Sequence, residues 1–267
     1  SRGLGDVYKR QDMSAWVLMG LPTSIYALGL GQVWIPVGLA IGYTISWLLE
    51  APRLRKFSIV ANDSITIPQY LTNRFLSKSL ALQVICAIVF LVAYTIYAAS
   101  SVKACGTLFH TVIGMDPQIA MYLAAVVIVG YTFLGGFSAV CWTDFFQGML
   151  VLGSMFIAPI FAAFMLDTST MSALPGGYLN PFSSWQDIVS GLAWGLGYFG
   201  MPHILVRFMA IRDPQEVKKS RNIAMIWVLI SLSVAVCIGF TGAALYPNVA
   251  ELAGNGNQRI FIYMTTH

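Results

Sequence analysis

The chain has 267 residues, of which 57% are hydrophobic and 10% charged, against about 45–50% apolar and about 25% charged in soluble globular domains. Its mean hydropathy of +0.73 excludes a water-soluble domain. The formal charge of +4, from 15 Lys+Arg against 11 Asp+Glu, excludes a nucleic-acid partner and reads as an orientation signal in a lipid bilayer. Four cysteines, Cys86, Cys105, Cys141 and Cys237, lie in or beside apolar runs with no C-x-x-C pair, the pattern of core thiols and not of a disulfide or zinc framework.

Residues 1–11 (SRGLGDVYKRQ) are polar and basic, without an initiator Met or a signal-peptide core. They are expected to be foreign to the fold, and 12–267 is expected to be a fragment of a transmembrane domain, because a fresh apolar run has only begun at 258–267. Seven apolar segments lie near 13–31, 33–52, 80–102, 118–141, 146–166, 187–210 and 223–245, each long enough to span at about 20 residues per crossing. The expected fold is all-α, a polytopic membrane helical bundle. Basic residues gather in two loops. Arg53, Arg55, Lys56, Arg74 and Lys78 follow the second segment, and Arg207, Arg212, Lys218, Lys219 and Arg221 follow the sixth. An even number of crossings separates these loops, so both fall on one side, which the positive-inside rule makes cytoplasmic. The loop 167–187, with Pro175, Gly176, Gly177 and Pro181 and no Lys or Arg, then falls outside.

The first and sixth segments are interrupted. The first opens on Asp12-Met13-Ser14 and carries Gly20-Leu21-Pro22, while the sixth contains Gly191, Gly195, Gly197, Gly200 and Pro202. Gly weakens a helix interior and Pro removes a donor, so backbone carbonyls can open toward a cavity there. The two segments lie five spans apart and cross in opposite directions, as in an inverted repeat of five helices with a midplane substrate and ion site. Close helix packing by small residues explains the same glycines equally well. Asp12 and Ser14 offer hard oxygen ligands for a small cation, since a carboxylate in a span is expensive and marks ion pathways. Asp144, in Trp142-Thr143-Asp144, reads either as part of such a pathway or as a helix-end cap. Trp194, Tyr198 and Pro202 recur at four-residue intervals, which on one helix places them on one face. Together with Tyr97 they offer aromatic surface to a small solute, or to packing. No metalloprotease H-E-x-x-H, P-loop or G-x-S-x-G elbow occurs. Gly195-Leu196-Gly197 with Gly200 fits G-x-G-x-x-G only inside a hydrophobic span with no strand before it, so no enzyme is expected.

These runs carry a resemblance. Asp12-Met13-Ser14-Ala15-Trp16 with Gly20-Leu21-Pro22, Thr66-Ile67-Pro68-Gln69-Tyr70, Tyr131-Thr132-Phe133-Leu134-Gly135-Gly136-Phe137 with Trp142-Thr143-Asp144, and Trp194 to Gly200 with Pro202-His203-Ile204-Leu205 closely resemble the sodium:solute symporter family over essentially all of 12–267. The resemblance implies a leucine-transporter-like inverted repeat of five helices and sodium-coupled solute uptake by alternating access in a bacterial inner membrane. L-proline is the expected solute. By the same resemblance Asp12, the Met13 carbonyl and Ser14 serve the sodium ion, and Asp144 is linked to sodium-dependent transport. Tyr97, Trp194, Tyr198 and Pro202 serve the solute. The chain departs from the pattern at Ala15, where Gly is expected, and at Met201, where Gln is expected. Further sodium ligands are expected on a helix beyond His267. Two alternatives stay open. One is another small solute such as pantothenate or a different amino acid, and the other is a transporter-like sensory input domain of a histidine kinase.

Overall fold

The computed structural model describes residues 16–64, 66–76, 80–166, 174–211, 217–247, 249, 252 and 254–266. Residues 1–15, and with them Asp12, Met13, Ser14 and Ala15, lie outside the described residues, as do Lys78 and Arg212 and the side chain of Asp144. Helices account for almost all of the described chain: α1 (Leu21–Leu28), α2 (Trp34–Ile45), α3 (Ala51–Val60), α4 (Ile67–Arg74), α5 (Ala81–Ile113), α6 (Pro117–Met165), α7 (Trp185–Ala193), α8 (Pro202–Met209), α9 (Val217–Leu245) and α10 (Ile260–Thr266). Among the described residues five helices are long and apolar enough to cross a membrane. The pair Trp185–Phe199 and Pro202–Met209 makes a sixth when taken as one broken span, and Trp16–Leu28 is a shorter apolar helix. The described residues of the seven apolar segments are thus largely helical, with five of span length, a sixth only as the broken pair, and the first shorter than a full span over its described residues. Cys86, Cys105 and Cys237 are free thiols.

Helix ends follow from local chemistry. Between α5 and α6 the chain reads Gly114-Met115-Asp116-Pro117: Gly114 takes the left-handed conformation (φ 72°) that ends a helix cheaply only at glycine. The Asp116 carboxylate then accepts from the amides of Gln118 (2.9 Å) and Ile119 (3.2 Å), and Pro117 starts the next helix where its missing donor costs nothing. Thr66 and Ser184 cap α4 and α7 by accepting from Gln69 N and Asp187 N. The helix α5 extends past the expected 102 to Ile113, because Lys103 and Ala104 favour helix, His110 lies in the last turn where a basic side chain suits the helix end, and no proline precedes Gly114. Gly136, at φ 56° and ψ −160°, interrupts the long α6 and leaves Pro117–Gly136 and Phe146–Met165 as separate span-length pieces. Apolar side chains such as Val84, Ile88, Val92 and Ile96 stay exposed along α5, as expected where the surrounding solvent is lipid.

The chain forms two compact units. Over the described residues, one comprises Ile45–Thr143 and Phe199–Ile223, and the other Trp16–Thr44, Asp144–Tyr198 and the chain from Ala224 on. In the first unit α3 and α4 both pack against α8, and α4 also packs against α5. Ile67, Tyr70 and Met209 form a small core there, with Leu54, Phe90 and Val206 packed around it. The helices that carry Arg53, Arg55, Lys56 and Arg74 thus pack against the helix that carries Arg207. The turn from α3 to α4 carries two left-handed residues, Asn62 (φ 61°) and Asp63 (φ 46°). The Asn73 amide holds it, donating 2.9 Å bonds to Ala61 O and to Ser64 Oγ.

In the second unit α2 and α7 approach through glycines. A Cβ on Gly38 would stand 2.3 Å from Gly191 O, one on Gly42 2.1 Å from Gly195 O, and one on Gly195 2.2 Å from Gly38 O. The sequence already contains the device twice, as Gly38-Leu39-Ala40-Ile41-Gly42 and Gly191-Leu192-Ala193-Trp194-Gly195, two G-x-x-x-G runs that let helix backbones touch. The turn at 175–180 closes over α1. Tyr178 O accepts from Leu30 N at 2.9 Å, and the buried Tyr178 hydroxyl donates to Ile25 O at 2.6 Å. Burial, and secondarily the neighbouring Tyr26 phenol, pushes the Tyr178 pKa well above the ordinary tyrosine value.

Candidate functional site

In the second unit the interruption of the first apolar segment is a π-helical turn, Trp16–Gly20, followed by Pro22 near the start of α1. Wide turns of this kind are frequent at functional sites. Here hydroxyls take up the carbonyls that it leaves: Thr23 Oγ1 donates to Met19 O at 2.5 Å and Ser24 Oγ to Gly20 O at 3.0 Å. Gly20 has a specific task. A Cβ there would lie 2.6 Å from Cδ1 of Trp16, so only glycine lets the Trp16 indole lie along its own helix. From that position Trp16 stacks on Trp194, with ring centroids 5.1 Å apart and planes 25° from parallel. The two interrupted segments thus meet ring to ring, four residues after Asp12.

Trp194 opens a 3-10 turn, Trp194–Phe199. This corrects the expectation of one helical face. With three residues per turn, positions four apart diverge by about 120°, so Trp194 and Tyr198 do not point the same way. Trp194 meets Trp16, whereas Tyr198 meets Tyr43 edge to face at 5.1 Å. The helix stops altogether at Met201, whose backbone is extended (ψ 108°), and Pro202 begins α8. Glycine flexibility at 195, 197 and 200 and the missing proline donor are the physical causes.

Pro202 and Tyr97 belong to the first unit, where each adjoins His203, Pro202 in sequence and Tyr97 by its ring. Tyr97 on α5 stacks on His203, with centroids 6.1 Å apart and planes 21° from parallel. Tyr94, one turn earlier, hydrogen-bonds His203 Nδ1 through its hydroxyl at 3.1 Å. A cavity of about 380 Å³ opens beside them, lined by Pro202, His203, Tyr94, Phe90, Thr66 and Arg207 among others. Tyr97 and Trp194 are 44% and 47% exposed, so both retain ring surface for a ligand.

The two sets are aromatic faces with polar tips. Among the described residues no three His, Cys, Asp or Glu side chains gather to hold a metal. Such surfaces suit a small, partly apolar solute bearing a cationic nitrogen, which aromatic faces attract. Sequence reasoning missed Tyr43 and Tyr94 as ring partners and missed Gly38 and Gly42, although the repeated G-x-x-x-G spacing was a signal for the glycines.

Span-length apolar helices and a span broken around glycines define a multi-pass helical membrane protein. Residues 5–261 match the sodium:solute symporter family, and the chain belongs to that family. It is 42% identical over 242 residues to the high-affinity proline transporter of Bacillus subtilis (strain 168), covering 88% of this chain and 51% of that protein. It is 40% identical over 242 residues to the sodium/proline symporter of Staphylococcus aureus, covering 88% of this chain and 47% of that one. The chain spans about half the length of the curated relatives it matches.

Proposed function

We propose that this chain forms part of a sodium-coupled symporter that takes up L-proline across a bacterial plasma membrane by alternating access. The observation that carries the reading is the Trp16–Trp194 stack, which joins the segment following Asp12 to one of the expected solute residues. Names of the relatives point to the same solute. In this reading Asp12, the Met13 carbonyl and Ser14 take the sodium ion, Asp144 supports its use, and Tyr97, Trp194, Tyr198 and Pro202 contact proline. Proline combines an apolar ring, a secondary ammonium and a carboxylate. Aromatic faces complement the first two, with about 2 kcal/mol available for an ammonium over a desolvated ring.

Sodium supplies the work. A tenfold sodium gradient is worth about 1.4 kcal/mol, and a 100 mV potential adds about 2.3 kcal/mol per charge. The sum supports a solute accumulation of roughly 500-fold at one sodium per solute. The reading is tested by labelled proline uptake into proteoliposomes holding the complete reading frame that carries this sequence, with unlabelled proline, pantothenate and a panel of amino acids as competitors. Proline is expected to compete best, and Asp12→Ala and Trp194→Ala to abolish uptake. Stronger competition by pantothenate, or full uptake by Trp194→Ala, overturns it.

A further inference from the structure

In the first unit a second cleft of about 490 Å³ opens between α3, α4 and α8, lined by Arg53, Arg74, Glu50, Leu54, Phe57 and Tyr70 among others. We propose that it binds an anionic phospholipid of the phosphatidylglycerol type. Its walls combine two features that a soluble anion site does not need together. The first is a pair of guanidiniums. Arg74 is held in place, stacked 4.8 Å over the Phe57 ring and donating from Nη1 to Tyr70 Oη at 3.1 Å. Arg53 is exposed and has no hydrogen-bond or ion-pair partner among the described residues. The second feature is apolar surface left open, with Leu49 at 52% and Phe57 at 47% exposure lining the same cleft. These residues sit at the end of the span Leu30–Val60, where apolar helix gives way to basic helix, the depth at which lipid headgroups lie.

Charge narrows the ligand. Glu50 is the one carboxylate in the lining, and it is turned to its own helix by accepting from Ser46 Oγ at 2.8 Å. Two arginines against one glutamate leave the lining with one net positive charge, which matches the single negative charge of a phosphatidylglycerol headgroup. A planar guanidinium fork suits phosphate oxygens. The cleft admits a headgroup and the first methylenes, and the acyl chains then run along the exposed apolar flank of α3. Basic pockets between helices at the membrane surface take lipid headgroups by this chemistry.

Native mass spectrometry of the whole chain in detergent tests the assignment, with equimolar phosphatidylglycerol, phosphatidylcholine and phosphatidylethanolamine added, then with inorganic phosphate as competitor. Phosphatidylglycerol adducts are expected to dominate. Arg53→Gln and Arg74→Gln are each expected to lower them roughly fivefold, taking one basic contact from the headgroup. Lys56→Gln, exposed on α3 outside the cleft, is expected to leave them unchanged. Arg74 also braces Phe57 and Tyr70, so its variant can lose structure, but the exposed Arg53 makes no hydrogen bond or ion pair with another described residue and its variant keeps the fold. Equal retention of the zwitterionic lipids overturns the proposal, as does unchanged binding in Arg53→Gln or an equal loss in Lys56→Gln. Displacement of the lipid by millimolar phosphate assigns the cleft to a free anion and also overturns it.

Discussion

Replacing Gly42 by alanine asks whether direct backbone contact between α2 and the 3-10 turn that follows α7 holds the second unit together. The new Cβ would stand 2.1 Å from Gly195 O and 2.5 Å from Gly195 C and Cα, while ordinary contact begins near 3.4 Å. Every one of these atoms is backbone, so no rotamer change relieves the clash and the helices must separate by more than an ångström. Overpacking a tight site costs about 1–3 kcal/mol, and a backbone obstacle places Gly42→Ala near the upper end, about 3 kcal/mol. At about 2–4 °C per kcal/mol for a chain of this size, melting in detergent should fall by about 6–12 °C. The double variant Gly42→Ala/Gly195→Ala should cost less than the sum of its singles, since the first separation makes room for the second methyl. The control is Gly153→Ala, where a Cβ meets nothing within 4 Å. Alanine's better helix propensity makes it neutral or stabilising by up to about 1 kcal/mol there. Equal melting of Gly42→Ala and Gly153→Ala would refute the contact.

Three further outcomes follow from named contacts. Gly20→Ala should act through Trp16, driving the indole off its helix and breaking the stack on Trp194, so that proline affinity falls as in Trp194→Ala while Trp194→Phe, which keeps a ring, retains most of it. Tyr178→Phe should cost about 1 kcal/mol for the hydrogen bond lost from Ile25 O. The folded protein raises the Tyr178 pKa above its unfolded value of about 10, so this group's contribution is complete below pH 10 and is lost as the pH climbs beyond it. Melting between pH 9 and 11 should therefore fall more steeply in the parent than in Tyr178→Phe. Asn73→Ala removes both bonds that hold the turn between α3 and α4, and should lower stability by about 1–2 kcal/mol, read as a melting shift of a few degrees.

The apolar segments were legible because span length and hydropathy are properties of the local sequence, and so was the existence of the two interruptions, since Gly and Pro act where they stand. Which non-α geometry each interruption adopts was not legible. The 3-10 turn at 194–199 and the π-turn at 16–20 are settled by tertiary neighbours, Tyr43 and Trp16 for the first and Trp194 for the second. A three-residue and a 3.6-residue repeat look alike over six residues, and this is why Trp194 and Tyr198 read as one face. The glycines of α2 and α7 are a different case. Each G-x-x-x-G run announces a close helix approach, but nothing in a single sequence names the partner helix. Tyr94 and His203 are 109 positions apart, and only the packing of α5 against the start of α8 joins them.

The central claim is that solute moves because sodium does. Proteoliposomes holding the complete reading frame, clamped at zero potential, should accumulate labelled proline when sodium outside exceeds sodium inside tenfold, and should release it when the gradient is reversed. Proline uptake of equal rate and extent with choline in place of sodium would contradict the account.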